Sequence, residues 1–442
     1  MKEIDLETGV SYAFDALVSD RLAMLLGAGL SMAPPSSLPS AAILAWTAKQ
    51  RYDAIHGTTR APLAEGIEEQ AEFFFQRGEL ATLYFRTLID FDAFAGQPNP
   101  GHEAVADLLL TRGIQTAVTT NVDILIETAG QFLFGQIGTG VSGNVCAALP
   151  PDQSPLLKIH GCRTCDPDNM VWAPGQLACP PVEQYIEASA AWLGLRLADR
   201  DLVIVGYWTD WDYLNEVLER TLGQVRPSRV IVVDPGEGGT FAIKAPALYE
   251  IGGRTSAQFY HVRVSGADFL ASLRSTFSKS FIRRILYAGN QEFVDVTGAP
   301  AAPAFLEAPV LNNEELWRVR RDLEGRRPHQ PARDRAPPQE PLLGLTLLQL
   351  QTAGAVHDGS YWVLNGRRIR VLRTPNQSLH QVEAEFQREL APTVAPDIVI
   401  AVGAESGSLP SNIVRGASAP TIARGSASRW FARADALQEL GI

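Results

Sequence analysis

Two short segments of this 442-residue sequence carry side chains that suit acid–base chemistry: Thr-Thr-Asn-Val-Asp at residues 119–123 and Lys-Ile-His-Gly at residues 158–161. The pKa of an ordinary histidine lies near neutrality, so His160 can act as a general base. Asn121 and Asp123 can hydrogen-bond a hydroxyl group or an ordered water molecule. Structural alternatives stay open, because a single histidine is often a core residue and Asp123 is well suited to capping the helix that follows it.

A third segment, Gly-Ala-Gly-Leu-Ser at residues 27–31, follows an apolar run. Two glycines at the carboxyl end of a strand let the backbone turn tightly and approach a phosphate group, and Ser31 adds a hydroxyl. The third glycine of the full dinucleotide fingerprint is missing, so a plain tight turn is the alternative. Two later apolar runs end in Gly-Tyr-Trp-Thr-Asp at residues 206–210 and in Asp234. An acidic side chain there suits the vicinal hydroxyls of a ribose, with capping as the alternative.

These segments lie within an alternation of strands and helices. Short runs rich in valine and isoleucine predict buried strands, and amphipathic stretches predict helices. The predicted strands are residues 22–26, 114–119, 202–205 and 230–233, with weaker candidates at 156–159 and 259–264. The predicted helices are residues 40–55, 65–91, 102–112, 124–134 and 211–222. This order predicts an α/β fold with a Rossmann-like, doubly wound parallel sheet, in which ligands bind beyond the carboxyl ends of the strands.

The chain is long enough for more than one domain. We predict a first domain over residues 1–297, with a helical insert at about 40–112 lying over the cleft. Residues 298–341, rich in proline and arginine, are predicted to be a linker. Residues 342–442 are predicted to form a small α/β module for assembly or regulation, in which Asn365-Gly366 makes a hairpin turn. A helix at 379–390 and a strand at 398–402 complete that module.

The composition is that of a soluble globular protein. Hydrophobic residues make up 46% and charged residues 20% of the chain, and the net charge is −11. That charge argues against broad nucleic-acid binding, although the arginine-rich residues 318–335 allow an acidic partner or a nucleic acid as an alternative to a solvated linker. No apolar run approaches the ~20 residues that span a bilayer. We therefore expect a cytoplasmic protein that does not associate with membranes.

Taken in order, and together with Pro-Asn-Pro-Gly-His at residues 98–102, these segments resemble the sirtuin family and its bacterial sirtuin-like branch. The resemblance spans roughly residues 22–269. It implies that NAD is the bound nucleotide, that His160 is the catalytic base, and that Asn121 and Asp123 hold the nicotinamide-side ribose or a water molecule. The residues implied to contact the dinucleotide are Gly27, Ala28, Gly29, Ser31, Thr120, Gly206, Tyr207 and Asp234.

The sequence also departs from typical sirtuin deacylases. Residues 37–40 lead directly into a helix and lack the Asp and Arg of the usual Ile-Pro-Asp-Phe-Arg stretch. After the histidine, typical members carry four cysteines that bind zinc, whereas this chain has Cys162, Cys165 and a single Cys179. A structural zinc site needs four ligands, and Cys146 is the only further cysteine, so zinc is not expected. Thr209 stands where many sirtuins have a serine.

These departures weaken the case for a peptide groove and leave the residues that handle NAD. The sequence looks like the branch found in bacterial anti-phage systems, whose members hydrolyse NAD. That resemblance implies an NAD glycohydrolase that acts as a regulated defence effector and as a homo-oligomer. It also implies a partner such as a translocase-type ATPase, an Argonaute-like protein or a nucleotide signal. The alternatives are an NAD-dependent protein deacylase and a non-catalytic module that binds NAD or ADP-ribose.

Overall fold

A computed structural model describes residues 1–57, 62–206, 211–223, 228–325, 339–374, 378–386, 395–404 and 429–442. The chain separates into two compact units, Met1–Leu273 and Arg274–Ile442. The division falls inside the helix Gly266–Thr297, which the sequence analysis did not predict. Among the described residues, no helix has the length and apolar composition that crossing a bilayer requires.

The first unit is built on an eight-stranded parallel sheet. Its strands are β1 (Lys2–Ile4), β2 (Leu22–Leu26), β3 (Thr116–Thr119), β4 (Gly138–Gly140), β5 (Pro155–Lys158), β6 (Asp201–Val205), β7 (Arg229–Val233) and β8 (Gln258–Val262). They lie in the order β1-β8-β7-β6-β2-β3-β5-β4. The chain passes from β2 to β3 on one side and returns to β6 on the other, which confirms the predicted doubly wound sheet.

Most strands of this sheet are buried because helices cover both faces. All five residues of β2 and of β6 are buried, as expected for strands with apolar residues at successive positions. All six predicted strands are present. The two strands that were not predicted, β1 and β4, have three residues each and lie at the sheet edges.

The α-helices of the first unit are Leu6–Val18, Gly29–Met32, Ala41–His56, Ile67–Phe75, Pro100–Leu110, Leu125–Phe132, Gly143–Ala147, Val182–Leu197, Asp212–Thr221, Gly238–Lys244 and Pro246–Arg254. Short 3-10 helices span Phe91–Phe94, Pro167–Asn169 and Pro174–Ala178, and Leu80–Leu88 forms a π-helix. The single helix predicted at residues 65–91 is therefore wrong. Gly78, with φ of +67°, interrupts it because that backbone conformation ends a right-handed helix.

The helical insert has an aromatic core of its own. Tyr52, Phe74 and Tyr84 are buried in one cluster, and the rings of Phe74 and Tyr84 stack with centroids 5.0 Å apart. Val122 and Met170, from loops at the carboxyl ends of strands, belong to the same cluster. The predicted insert, 40–112, extends too far, because the helix Pro100–Leu110 lies beside β3 instead.

The second unit contains a five-stranded mixed sheet in the order β13-β12-β11-β10-β9. Its strands are β9 (Val356–Asp358), β10 (Tyr361–Leu364), β11 (Arg367–Arg373), β12 (Ile398–Val402) and β13 (Trp430–Ala432). Residues 274–297 of the helix Gly266–Thr297 belong to this unit. Its other helices are the 3-10 helix Pro303–Leu306 and the α-helices Asn313–Glu324, Glu340–Thr352, Leu379–Phe386 and Arg433–Leu440. The predicted hairpin is present, with φ of +50° at Asn365 and +75° at Gly366.

Residues 298–341 were predicted to be a linker, but the described part of this segment is folded into the second unit. It contains the helix Asn313–Glu324, whose first turn is closed by reciprocal hydrogen bonds between Asn312 and Glu315. Leu316 and Leu323 are buried in the core of the second unit. Arginines in this helix are buried too: Arg320 is fully buried and donates to Ser278 Oγ at 3.1 Å. The arginine-rich composition did not reveal this buried helix. The aliphatic part of an arginine side chain can pack in a core while its guanidinium group forms hydrogen bonds or ion pairs.

Candidate active site at the carboxyl ends of the strands

The register of the sheet brings the predicted segments to one edge. Leu26 at the end of β2 pairs with Thr119 at the end of β3 and with Val205 at the end of β6. Thr119 in turn pairs with Lys158 at the end of β5. The segments that follow these residues therefore start side by side, which is the geometry in which open α/β sheets bind ligands.

An open pocket enclosing about 820 Å³ of empty space lies at this edge. Six of the predicted site residues line it: Ala28, Ser31, Thr120, Asn121, Asp123 and His160. The helical insert contributes another part of the wall through Leu44, Ile67 and Glu68.

Ser31 is the centre of a hydrogen-bond network in this pocket. Its hydroxyl donates a hydrogen bond to Asp123 Oδ2 at 3.0 Å and accepts one from Asn121 Nδ2 at 3.1 Å. The same oxygen lies 3.1 Å from His102 Nε2. A hydroxyl has one proton, and here it goes to the carboxylate, so Asn121 and His102 both act as donors. The amide of Asn121 is thereby oriented, and its carbonyl oxygen is the acceptor that it can offer to a ligand.

His102 is a site residue that the sequence analysis did not identify as one. It lies in the first turn of the helix Pro100–Leu110, where the Asn99 side chain caps the backbone N–H groups of Gly101 and His102. The backbone N–H of Asn99 donates to His102 Nδ1 at 3.2 Å, so the proton of the neutral ring is on Nε2, facing Ser31. Burial lowers the pKa of His102 to about 4, against an opposing effect of the Asp123 charge. The sequence feature that could have identified His102 was the segment Pro-Asn-Pro-Gly-His at residues 98–102, to which the sequence analysis gave no chemical role.

Asp123 has two roles. Its Oδ1 accepts a hydrogen bond from the backbone N–H of Leu125 at 3.0 Å. Asp123 therefore pairs with the first backbone N–H group of the helix Leu125–Phe132. Its Oδ2 accepts from Ser31. The main-chain carbonyl of Asp123 is held by the fully buried ammonium group of Lys158, which also pairs with Glu127 at 3.1 Å. Lys158 therefore fixes the loop on which Asn121 and Asp123 lie.

His160 is almost completely buried, with 6% of its surface exposed, yet it contributes to the wall of the pocket. Its Nε2 is 2.7 Å from Tyr213 Oη, and its ring meets the edge of Trp211 with centroids 4.5 Å apart. Burial lowers the pKa of His160 to about 3. The imidazole is therefore neutral at physiological pH. Tyr213 and Trp211 come from the region 211–223, where the sequence offered no signal of a contact with His160.

The glycines of the loop at 27–31 have a structural explanation. Gly27 N donates to Val205 O at 2.9 Å, and Gly29 N donates to Gly206 O at 3.1 Å. A Cβ on Gly29 would lie 2.7 Å from the Cα atom of Gly206, and Gly206 itself has φ of +60°. The two loops thus touch through their backbones, and only glycine fits at both positions.

Five of the eight predicted dinucleotide contacts lie apart from the pocket lining or outside the described residues: Gly27, Gly29, Gly206 and Asp234 do not line the pocket, and Tyr207 is not described. Asp234 follows β7, is 8% exposed and accepts a hydrogen bond from Gly236 N at 2.6 Å, which stabilises a turn; the next helix, Gly238–Lys244, has Glu237 and not Asp234 at its N-cap. Tyr207 and Thr209 lie outside the described residues.

The four cysteines are free thiols, and within the described ranges no group of three or more His, Cys, Asp or Glu side chains could hold a metal ion. Cys146 and Cys162 are buried, whereas Cys165 and Cys179 are exposed. Burial raises the pKa of the Cys162 thiol, but the charge of Lys158 and hydrogen bonds from Thr164 outweigh that effect and lower it.

Comparison with known proteins finds similarity among solved structures alone. No protein-family model matches the sequence, and no curated protein matches it. A Sir2 homologue mutant in complex with ADP-ribose is 16% identical, with 62% of this chain and 98% of that chain covered and a TM-score of 0.33. A Sir2 homologue in complex with NAD is 16% identical, covering 62% and 93%, with a TM-score of 0.35. A complex of Sir2 with a p53 peptide and NAD+ is 14% identical, covering 60% and 96%, with a TM-score of 0.34. Similarities this low carry no information about activity.

Proposed function

We propose that this chain is an NAD glycohydrolase, which cleaves the bond between nicotinamide and ribose to give nicotinamide and ADP-ribose. The observation that carries the proposal is that Asn121, Asp123 and His160 line one pocket at the carboxyl ends of β3 and β5. The oriented amide of Asn121 can position a water molecule, and the neutral imidazole of His160 can accept a proton from that water as it attacks the sugar carbon.

The mechanism follows from the charge of the substrate. The pyridinium ring of NAD leaves with the electron pair of the C–N bond as neutral nicotinamide, and positive charge develops on the ribose. A water molecule adds to C1′ and loses one proton, which His160 accepts and then releases to solvent. The carbonyl oxygen of Asn121 orients that water or a ribose hydroxyl, because Ser31 holds the other end of the amide. General base assistance contributes roughly 10²–10⁴-fold to such a step.

The residues that contact the remaining parts of the dinucleotide are proposed from the resemblance and, for three of them, from their position in the pocket wall. We propose that the loop at 27–31, with Thr120 and Gly206, contacts the diphosphate and the ribose on its nicotinamide side. Tyr207 and Asp234 remain proposed contacts of the adenosine half. Ala28, Ser31 and Thr120 support this arrangement because they line the same pocket as the proposed catalytic groups.

The proposed biological role is that of a regulated antiviral effector in bacteria. Unrestrained hydrolysis of NAD would be harmful to a cell, so we propose that assembly into a homo-oligomer, or a partner such as a translocase-type ATPase or an Argonaute-like protein, controls the activity. The second unit is the candidate for that control. The support is the resemblance of residues 22–269 to sirtuin-like defence proteins.

Substitution of the two central side chains tests this proposal. Asn121→Ala and His160→Ala should reduce nicotinamide release from NAD by at least about 10²-fold, because each removes a group that acts on the water. Asn144→Ala, on the exposed face of the helix Gly143–Ala147, is the matched control and should behave as wild type. Release should be the same with and without an acylated peptide. Release that depends on the peptide would favour a deacylase, and full activity of either variant would contradict the assignment.

A further inference from the structure

The proposed active-site pocket contains a carboxylate to which the mechanism gives no role. Glu68 lies in the first turn of the helix Ile67–Phe75, half-buried, and lines the pocket together with Asn121 and His160. Asp123, the other acid there, is held by Ser31 and by the backbone of Leu125. Glu68, by contrast, makes no hydrogen bond or ion pair with any residue in the described part of the chain.

The charge balance of the pocket is negative. No lysine or arginine is among the described residues that line it, and burial keeps the one histidine, His160, neutral. Burial, followed by the neighbouring charge of Glu69, raises the pKa of Glu68. Partial burial of a carboxylate without a partner is unfavourable, so a cationic ligand gains by supplying one. The part of the pocket wall around Glu68 therefore suits the positive end of a ligand.

We propose that Glu68 binds the positively charged nicotinamide ring of NAD and makes the pocket prefer the oxidised dinucleotide to the reduced one. This inference rests on the proposed function and deepens it by assigning the part of the wall that recognises the leaving group. The ring loses its charge as the bond breaks. An interaction with the ring is thus strongest in the bound substrate, and it improves binding without lowering the barrier.

The position of Glu68 on the insert gives the insert a chemical role. Ile67 and Leu44 from the same insert line the pocket beside it. The helical insert thus supplies the leaving-group subsite, while the sheet edge supplies the groups that handle the ribose. A polar carboxylate within an apolar wall is well placed to distinguish a cationic ring from a neutral one of the same size.

A binding measurement that does not depend on turnover tests the proposal. His160→Ala should slow turnover by at least about 10²-fold, and in that background the affinities for NAD and NADH are measured by calorimetry with the full chain. Adding Glu68→Gln should weaken NAD binding by about tenfold while NADH binding changes by less than about twofold. Glu69→Gln, an adjacent and exposed glutamate, is the matched control and should change neither. Equal effects of the two substitutions would overturn the role of Glu68.

Steady-state kinetics with His160 intact separate this inference from the proposed function. Glu68→Gln alone should raise KM for NAD by about tenfold and leave kcat within about threefold of wild type. A wild-type protein that binds NAD more tightly than NADH but never releases nicotinamide would contradict the hydrolase and leave the Glu68 subsite standing. A wild-type hydrolase with unchanged KM in Glu68→Gln would contradict the subsite alone.

Discussion

At the scale of single residues, the site is organised by one hydroxyl group. Ser31 Oγ is bonded to Asp123, Asn121 and His102, and this fixes which atom of each neighbour carries a proton. The network needs a neutral His102, and burial keeps the pKa of that ring at about 4. The same network orients the amide that we propose to act on water. Ser31 is therefore a positioning residue for Asn121.

Substitution of Ser31 should separate this role from simple packing. Ser31→Ala leaves buried donors on His102 and Asn121 and an acceptor on Asp123 without their partner, so stability should fall by about 1–3 kcal/mol. Nicotinamide release should fall by about tenfold or more, because the amide of Asn121 is no longer held. Urea unfolding and steady-state kinetics measure the two effects.

A second buried serine provides the control for that experiment. Ser189 is fully buried and accepts from Gly143 N at 3.1 Å, and it does not line the pocket. Ser189→Ala should lower stability by a similar amount and leave the specific activity unchanged. If both variants lose activity in proportion to stability, Ser31 has no positioning role.

Some site residues were predictable and others were not, for a physical reason. Asn121, His160 and Ser31 follow apolar runs directly, and the ends of parallel strands meet at one edge. His102, Tyr213 and Glu68 lie on helices, and their approach to the pocket depends on how those helices pack. Local sequence does not encode that packing, so these residues became visible only in three dimensions.

At the scale of elements, the strand ends are locked together by backbone contacts and by Lys158. The ammonium group of Lys158 reaches from β5 to the carbonyl of Asp123, after β3. On the other side of β2, the loop at 27–31 is hydrogen-bonded to Gly206, after β6. The loops after β2, β3 and β6 are therefore each tied to a neighbouring segment at this edge of the sheet.

The contact between Gly29 and Gly206 is sensitive to a single methyl group. Gly206→Ala places a Cβ 2.6 Å from the Cα atom of Gly29, at a backbone φ of +60°. We expect a loss of more than about 1 kcal/mol in stability and a large loss of activity, because the loop must move. Gly194→Ala, in the interior of the helix Val182–Leu197 with no atom within 4 Å of the added Cβ, should stabilise the protein. A Gly206→Ala protein as active and stable as wild type would contradict the account of this loop.

The elements that the sequence predicted correctly are those with local signals. The hairpin at Asn365-Gly366 needs positive φ at both positions, and the buried strands β2, β6 and β7 are continuous apolar runs. The helix Asn313–Glu324 was missed because its charged residues resemble a linker. Its burial depends on the rest of the second unit.

At the scale of the whole molecule, two buried histidines, His102 and His160, and the half-buried His357 make stability depend on pH. Burial lowers the pKa of His160 to about 3, and that of His102 and of His357 to about 4. The unfolded chain binds protons on these rings below about pH 6.5, whereas the folded chain does not until about pH 4. These histidines therefore do not affect the free energy of unfolding above about pH 6.5, and they lower it as the pH falls from about 6.5 towards 4.

Unfolding by urea at several pH values measures this dependence. Each of the three histidines should contribute a slope of up to about 1.4 kcal/mol per pH unit between pH 6 and pH 4.5. His160→Gln should reduce the slope by the contribution of one histidine. His380 is exposed, and His380→Gln is the control that should leave the slope unchanged. An equal slope in wild type and His160→Gln would show that His160 is not buried in its neutral form.

The class of fold was predictable from alternating strands and helices, whereas the division of the chain was not. Residues 274–297 belong to the second unit, although the pattern of the sequence placed them in the first domain. A helix that runs through the division gives no turn or composition change to mark it.

The central claim is that Asn121 and His160 act on one sugar carbon of NAD. Its most direct measurement is the incubation of the purified full chain with NAD in ¹⁸O-labelled water, at several protein concentrations, with the products identified by mass spectrometry. We predict nicotinamide and ADP-ribose in equal amounts, with one ¹⁸O atom in the ADP-ribose, and at least about 10²-fold less of both products from Asn121→Ala. Absence of nicotinamide at every concentration of wild type, or equal release by Asn121→Ala, would contradict it.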